Sequence, residues 1–278
     1  MEIIRHKTAS DFLERAGAWL EQAEAENNFI LGVTPLLKNY SEVFKISPYY
    51  ITLEEAGTIG GVAFMNPPRR LFITHMPPQA VVILTDYLLD TGAPVPGVNG
   101  PKTEADLFAE YWTTKTDNRL RLKMSQRIYA CENVITAARS PGRLRSATKD
   151  DESLLVDWAG EFCRDAGIAD EIAHMKAQIP NLTAKGWLYV WENSEVVSMA
   201  DLGRETAHGF SLSLVYTPRH LRNKGYATSC VAELTKSMLD SGKKFCCLYA
   251  DLANPASNSI YQKIGYQPVC DVQDWVFE

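Results

Sequence analysis

Six consecutive residues, Arg222-Asn223-Lys224-Gly225-Tyr226-Ala227, hold the chemistry that stands out first in this sequence. They fit R-x-x-G-x-A, and Thr228 and Ser229 follow at the start of an amphipathic run. A segment of this kind, placed where a strand gives way to a helix, suits a pyrophosphate. The first N–H groups of a helix have no internal partner, and the helix start carries roughly half a positive charge. Gly225 and Ala227 remove bulk, so that phosphate oxygens can approach the main chain. The dipole alone is worth about 0.3–1 kcal/mol per charge at an exposed site, so several N–H bonds must act together with Arg222 and Lys224. There is no second Gly followed by Lys and Ser/Thr, and no G-x-G-x-x-G, which argues against a P-loop and against a Rossmann dinucleotide site. A second group follows downstream: Asn254-Pro255-Ala256-Ser257-Asn258-Ser259-Ile260-Tyr261, ending at Gly265-Tyr266. Tyr261 lies four residues after Ser257, on the same helical face. Taken alone, R-x-x-G-x-A also describes an ordinary basic turn, and Tyr261 also reads as an aromatic packed on a sheet.

The elements that must position these residues form a strand–loop–helix–strand–helix order. Residues 209–216 read as a strand ended by Thr217-Pro218, 226–239 as a helix, 245–249 as a strand, 256–264 as a short helix stopped at Gly265, and 274–277 as a last strand. Such a crossover order predicts at least two parallel strands. Upstream, 154–163 and 170–178 read as helices, and 187–191 and 196–201 as strands joined by an Asn193-Ser194-Glu195 hairpin.

The first half echoes the second. Arg5, Thr8, Asp11 and Leu13 recur as Arg145, Thr148, Asp150 and Leu154, each set leading into a helical pattern that contains a Trp (Trp19, Trp158). Leu88-Leu89-Asp90-Thr91-Gly92 matches Met238-Leu239-Asp240-Ser241-Gly242, two helix ends closed by Gly. Strands are expected at 49–53, 59–65 and 70–75. The stretch 137–145, basic and containing Pro and Gly, is the expected linker. Where the first half should carry a phosphate loop, it has Met76-Pro77-Pro78-Gln79-Ala80.

Composition bounds the rest. The chain has 278 residues, 46% apolar and 22% charged, with a formal net charge of −6. Two domains fit that length, and a mildly acidic chain is a poor general binder of polyanions. Neither nucleic acid nor a membrane is expected as a partner: the Arg219, Arg222, Lys224 cluster is short, and no run approaches the ~20 apolar residues of a spanning helix. The start has no secretory pattern. The six cysteines form no C-x-x-C pair, so free core thiols in a reducing cytoplasm are expected. His6, His75, His174, His208 and His220 show no metal spacing, and no metal is expected.

In V-Y-T-P (Val215 to Pro218), R-x-x-G-x-A and N-P-x-S-N-x-x-Y-x-x-x-G-Y, at these separations, the chain resembles the GNAT superfamily of N-acetyltransferases, over about its last 135 residues. The resemblance implies an α/β (mixed α+β) architecture of two tandem GNAT-like domains, each a central mixed, splayed β-sheet flanked by helices: 1–138 degenerate and 143–278 binding acyl-CoA. It implies direct transfer of an acetyl or other short acyl group from acetyl-CoA, or another acyl-CoA, to a small-molecule or peptide amine. Val215, Tyr216 and Thr217 would meet the pantetheine arm, and Arg222, Asn223, Lys224, Gly225, Tyr226, Ala227 and Thr228 the pyrophosphate. Asn254, Ser257 and Asn258 would border the arm or the adenosine, and Tyr261 would protonate the departing thiolate. Glu161, Asp201 and Glu205 stay open as bases. The alternative is a non-catalytic acyl-CoA sensor. A monomer or weak homodimer is expected, because a duplicated domain can mimic a dimer within one chain.

Overall fold

The computed structural model describes residues 1–38, 46–135 and 140–278; residues 137–139 of the expected linker lie outside them. Ten elements occur twice in the same order. The first set is β1 (Glu2–His6), α1 (Ala9–Leu20), α2 (Asn28–Leu37), β2 (Tyr49–Glu55), β3 (Thr58–Met65), β4 (Leu71–Ile73), α3 (Pro78–Asp90), β5 (Gly97–Pro101), α4 (Lys102–Lys115) and β6 (Leu120–Cys131). The second is β7 (Arg143–Ser146), α5 (Glu152–Asp165), α6 (Ile172–Ala184), β8 (Leu188–Asn193), β9 (Glu195–Glu205), β10 (Gly209–Tyr216), α7 (Tyr226–Asp240), β11 (Phe245–Asp251), α8 (Pro255–Ile264) and β12 (Gln267–Phe277). The end of the expected linker is thus a strand, β7, whose Arg143 to Ser146 pair with Glu192 to Tyr189.

Two compact units result, and neither is one continuous stretch. The first comprises 1–128, 250–254 and 269–278, the second 129–249 and 255–268. The last strand of the second copy therefore completes the first unit: Val272 to Val276 pair antiparallel with Pro101 to Gly97 of β5.

In the first unit the strand order is β1-β2-β3-β4-β5-β12-β6. β2 is buried along nearly its whole length, because both its faces are covered. Tyr49, Ile51 and Leu53 enter a core with Leu84, Val98, Phe108 and Trp112. Tyr50, pointing the other way, joins Phe12, Leu20, Ile30 and Phe64, as the two-residue period of a strand requires. β4 and β5 run parallel, Leu71 beside Val98.

In the second unit the order is β11-β10-β9-β8-β7. Leu155, Trp158, Ile179, Val190, Met199 and Leu214 form the core under α5 and α6, and α7 buries Cys230, Val231 and Leu234. β10 and β11 are parallel, from Gly209 beside Phe245 to Leu212 beside Leu248, as the crossover order predicts. Helix ends follow their side chains. Thr8 caps α1 by accepting the Asp11 N–H. Thr148 and Asp151 form a reciprocal capping box, so the partner of Asp11 in the echo is Asp151 and not Asp150. Gly92 and Gly242, both at positive φ, follow the last residues of α3 and α7.

All six cysteines are free; five are buried and Cys270 is partly exposed. Among the described residues no helix is long and apolar enough to cross a membrane.

Candidate functional site

The site is built on β10 and the start of α7, both in the second unit. β10 pairs with β9 through one register shift, between Ser211 and Leu212, as far as Ser213 with Asp201; the next ladder partner is Tyr216 with Met199. Leu214 and Val215 are left between, with Leu214 at φ +49. This is a β-bulge, and such a bulge bends a strand and ends its pairing. On the other side the register with β11 stops at Leu212. Leu214 and Val215 thus have no ladder partner in either neighbouring strand. Ser198 holds the end of the strand in place: its hydroxyl donates to the Tyr216 carbonyl (3.0 Å) and accepts from Thr217 Oγ1 (2.9 Å). The Thr217 carbonyl accepts from Arg222 Nε at 2.9 Å. Of the three residues expected to meet a pantetheine arm, two therefore have their carbonyls engaged within the protein, and Val215 has its main chain free of the ladder.

The loop then turns through two left-handed residues, Asn223 at φ +63 and Gly225 at φ +79. Asn tolerates that region and Gly adopts it without strain. Gly225 is the N-cap of α7, and no side chain caps the helix there. The first helical bond runs from Ser229 N–H to the Gly225 carbonyl (3.0 Å), so the N–H groups of Tyr226, Ala227 and Thr228 precede the helical ladder.

Arg222, expected to meet the pyrophosphate, pairs with a carboxylate in this structure. Its guanidinium joins Asp165 at the end of α5 and lies 5.6 Å over the Tyr216 ring. Arg219 binds the same carboxylate at 2.5 Å. The Arg219 and Arg222 guanidinium groups hold the Asp165 carboxyl below the usual carboxylate range. These contacts tie the loop to the end of α5 and to Thr217. Lys224 is exposed and has no ion pair among the described residues. An anion at this helix start would meet main-chain donors on a loop that also carries Lys224 and Arg222.

Ser140, assigned by sequence to the linker, backs the loop: its hydroxyl donates to the Lys224 carbonyl (2.6 Å) and its N–H to Ser229 Oγ (2.9 Å). A Cβ on Gly225 would lie 2.7 Å from Ser140 Oγ. Tyr226 turns its hydroxyl to accept from Asn193 Nδ2 (3.2 Å).

On α8, Tyr261 is only 7% exposed, with its ring 5.9 Å from Tyr266 and 6.4 Å from Tyr129. Burial pushes its phenol up to about 12. Asn258 accepts from Tyr129 Oη (2.9 Å), which fixes α8 by its first turns. Ser257 lies on the same helix. Asn254 falls in the stretch 250–254 that packs with the first unit.

The three carboxylates separate clearly. Glu161 on α5 accepts from Tyr216 Oη at 2.8 Å, at the end of β10 where the ladder opens; burial, then this carboxylate, raises the Tyr216 phenol to about 12. Asp201 is buried and accepts from Ser213 Oγ (2.5 Å), with desolvation raising its pKa. Glu205 pairs with Lys243 (2.8 Å) at the opposite end of β10, beside Phe210. Asp165, Ser140 and Ser198 escaped the sequence reading: each acts through a contact between segments far apart in the chain.

Comparison with solved structures decides the architecture. Over its whole length the chain is similar to an acetyltransferase from the GNAT family from Colwellia psychrerythraea (TM-score 0.61, 13% identity, 100% of both chains covered). The protein has the GNAT fold. A GCN5-related N-acetyltransferase from Sphaerobacter thermophilus is comparably similar (TM-score 0.61, 13% identity, 99% of this chain and 95% of that one). So is a Drosophila protein (TM-score 0.63, 11% identity, 99% and 97%). In sequence, residues 192–276 match the FR47-like protein family, a stretch that contains β10, α7, β11 and α8 of this GNAT fold. No curated protein matches the sequence significantly.

Proposed function

We propose that the second unit is an acyl-CoA-dependent N-acyltransferase, with acetyl-CoA or another short acyl-CoA as donor and a small-molecule or peptide amine as acceptor. The observation that carries this reading is the pairing of an uncapped helix start, with hydrogen alone on Gly225 Cα, and a strand end freed from its ladder by the bulge at Leu214. The N–H groups of Tyr226, Ala227 and Thr228, with Lys224 beside them, take the pyrophosphate. The main chain at Val215 accepts the extended arm as one more strand. The family-level similarity supports the same assignment.

In the reaction the amine nitrogen bonds to the thioester carbon and the carbon–sulfur bond breaks. A primary amine of pKa about 10.4 costs about 4.6 kcal/mol to deprotonate at pH 7, so a proton acceptor is needed. Glu161, at the open end of β10, takes that proton through water. Glu205 is at the wrong end of the strand, and Asp201 is committed to Ser213. Tyr261 holds its proton at neutral pH. Complete transfer from a phenol near 12 to a thiolate of pKa about 8.5 would be uphill. Tyr261 therefore stabilises the departing sulfur by donating a hydrogen bond, and the proton that finally rests on the thiol comes from the amine by way of solvent.

The test is calorimetric titration of the full chain with acetyl-CoA, followed by thiol release against a panel of amines. One molecule bound per chain and amine-dependent thiol release are expected. Absence of binding overturns the site. Binding with no thiol release from any amine, at any acyl length, makes the protein a sensor.

A further inference from the structure

Outside that site, three segments of the first unit bring together side chains of a different chemistry. Glu26 lies after α1, His75 after β4 and Cys270 on β12; their ligand atoms all fall within 4.8 Å of one another. His75 Nε2 is 2.7 Å from Glu26 Oε1 and 3.7 Å from Cys270 Sγ. On the other side of the ring, His75 Nδ1 is 3.0 Å from Glu104 Oε1, in the first turn of α4. The other oxygen of that carboxylate, Oε2, is buried and has no hydrogen-bond partner among the described residues. Cys270 is also the one cysteine of the six that is not buried.

We propose that Glu26, His75 and Cys270 bind a divalent ion of the zinc class. One thiolate, one imidazole and one carboxylate form a donor set that suits zinc and disfavours magnesium or calcium, which take oxygen ligands. Around a tetrahedral ion with a Zn–N bond of about 2.0 Å and a Zn–S bond of about 2.3 Å, nitrogen and sulfur ligands lie about 3.5 Å apart. The His75–Cys270 separation already matches that. The Glu26–His75 contact, a hydrogen bond without the ion, would open by about half an ångström. Glu104 completes the arrangement: a metal-bound histidine usually gives its other N–H to a carboxylate, which fixes the ring and its tautomer. Three protein ligands leave a fourth position for water, and the exposed edge of His75 gives the ion a way in. Binding replaces the proton of the Cys270 thiol and releases it to solvent. The ion would tie β12 to the loop after α1 and to the end of β4, all inside the first unit.

The test is titration of the reduced full chain with Co²⁺, then displacement by Zn²⁺. One equivalent per chain is expected, with a near-ultraviolet thiolate-to-cobalt band and intense visible bands of a four-coordinate ion. Cys270→Ser should abolish the near-ultraviolet band, and His75→Ala should weaken binding at least a hundredfold. Glu104→Gln should weaken it about tenfold to a hundredfold, the usual cost of an outer partner. Circular dichroism establishes that each variant is folded. In the unaltered protein Zn²⁺ should also raise the melting temperature, and in His75→Ala it should not. Absence of stoichiometric binding, or a thiolate band that survives Cys270→Ser, overturns the proposal. No coenzyme is present, so the outcome is independent of the acyl-transfer reading.

Discussion

The starts of α3 and α7 occupy the same place in the two copies, and their chemistry differs. At α7 the cap is Gly225 in the left-handed region, and three N–H groups precede the helical ladder. At α3 the cap is Pro77 and the first helical residue is Pro78. Proline carries no N–H, and Ala80 N–H already donates to the Pro77 carbonyl (2.8 Å). Only Gln79 remains in that first turn. The strands differ in the same sense. β10 leaves β11 after Leu212, whereas in the first unit Ile73, paired with Ala63 of β3 and one residue past the β4–β5 register, packs onto Gly100 of β5. A Cβ at Gly100 would meet Ile73 Cγ1 at 2.5 Å and its carbonyl oxygen at 2.7 Å. One scaffold thus occurs with an open, donor-rich helix start and with a closed, donor-poor one. A handful of residues in the loop and the first helical turn separates them.

The largest test of this contrast is at Tyr261. It is the seventh residue of α8, and the seventh residue of α4 is Phe108, fully buried and without a hydroxyl. Tyr261→Phe therefore gives the second copy the side chain of the first. If the phenol donates to the departing sulfur, kcat should fall about a hundredfold, while the acetyl-CoA Kd measured by calorimetry stays within about threefold. Unchanged kcat would return Tyr261 to a packing role. Next comes Tyr226→Pro, which imports the donor loss of Pro78 at a position where helices tolerate proline. A hydrogen bond to a charged group is worth about 1.5–3 kcal/mol, so acetyl-CoA should bind about tenfold more weakly or worse. Tyr226→Phe, which loses only the contact with Asn193, should bind as the parent does.

Asp165→Ala separates two readings of Arg222. As a brace, Arg222 needs Asp165, and removing the carboxylate should loosen the loop and weaken acetyl-CoA binding by about two- to fivefold. If Arg222 instead reaches the phosphates, freeing it from its ion pair should tighten binding. A Kd below the parent value would thus decide against the brace.

Much of this contrast was legible in the sequence, because it rests on local chemistry. The prolines at 77 and 78, the glycine at 225 and the crossover order each speak through their own backbone preferences. The strand 209–216 and the helix from 226 come out with their starts in place. What escaped depends on distant segments meeting. β5, five residues of Gly97–Pro101 with two glycines and a proline, has no strand-like pattern, and tertiary burial makes it a strand. β12, read as 274–277, extends back to Gln267; it lies between β5 and β6, both strands of the first copy, and not beside a strand of its own. The bulge at Leu214 is invisible in an apolar run. The occupation of Arg222 by Asp165, 57 residues upstream, is invisible for the same reason.

The smallest expected effect lies at the starts of α1 and α5, where the two copies agree in spacing and differ in what the arginine contacts. Arg5 lies 4.0 Å over the Tyr49 ring. Its counterpart Arg145 grips Asp151 at 2.7 Å and Glu192 at 2.7 Å. The Arg145 guanidinium is the main cause that holds the Asp151 carboxyl at about 2, helped by the Thr148 N–H. A carboxyl whose folded pKa is depressed stabilises the fold above its unfolded value, and loses that contribution as pH falls through the folded one. The second unit should therefore lose about 1–2 kcal/mol between about pH 4 and pH 2, the full shift being reduced by solvent at this partly exposed pair. Urea unfolding at a series of pH values reads this directly. Asp151→Asn should remove that part of the pH dependence and lower the stability at neutral pH by a similar amount. If instead the slope between pH 4 and pH 2 is the same in parent and variant, the ion pair contributes nothing that the hydrogen bonds of the cap do not supply, and the two helix starts are energetically alike.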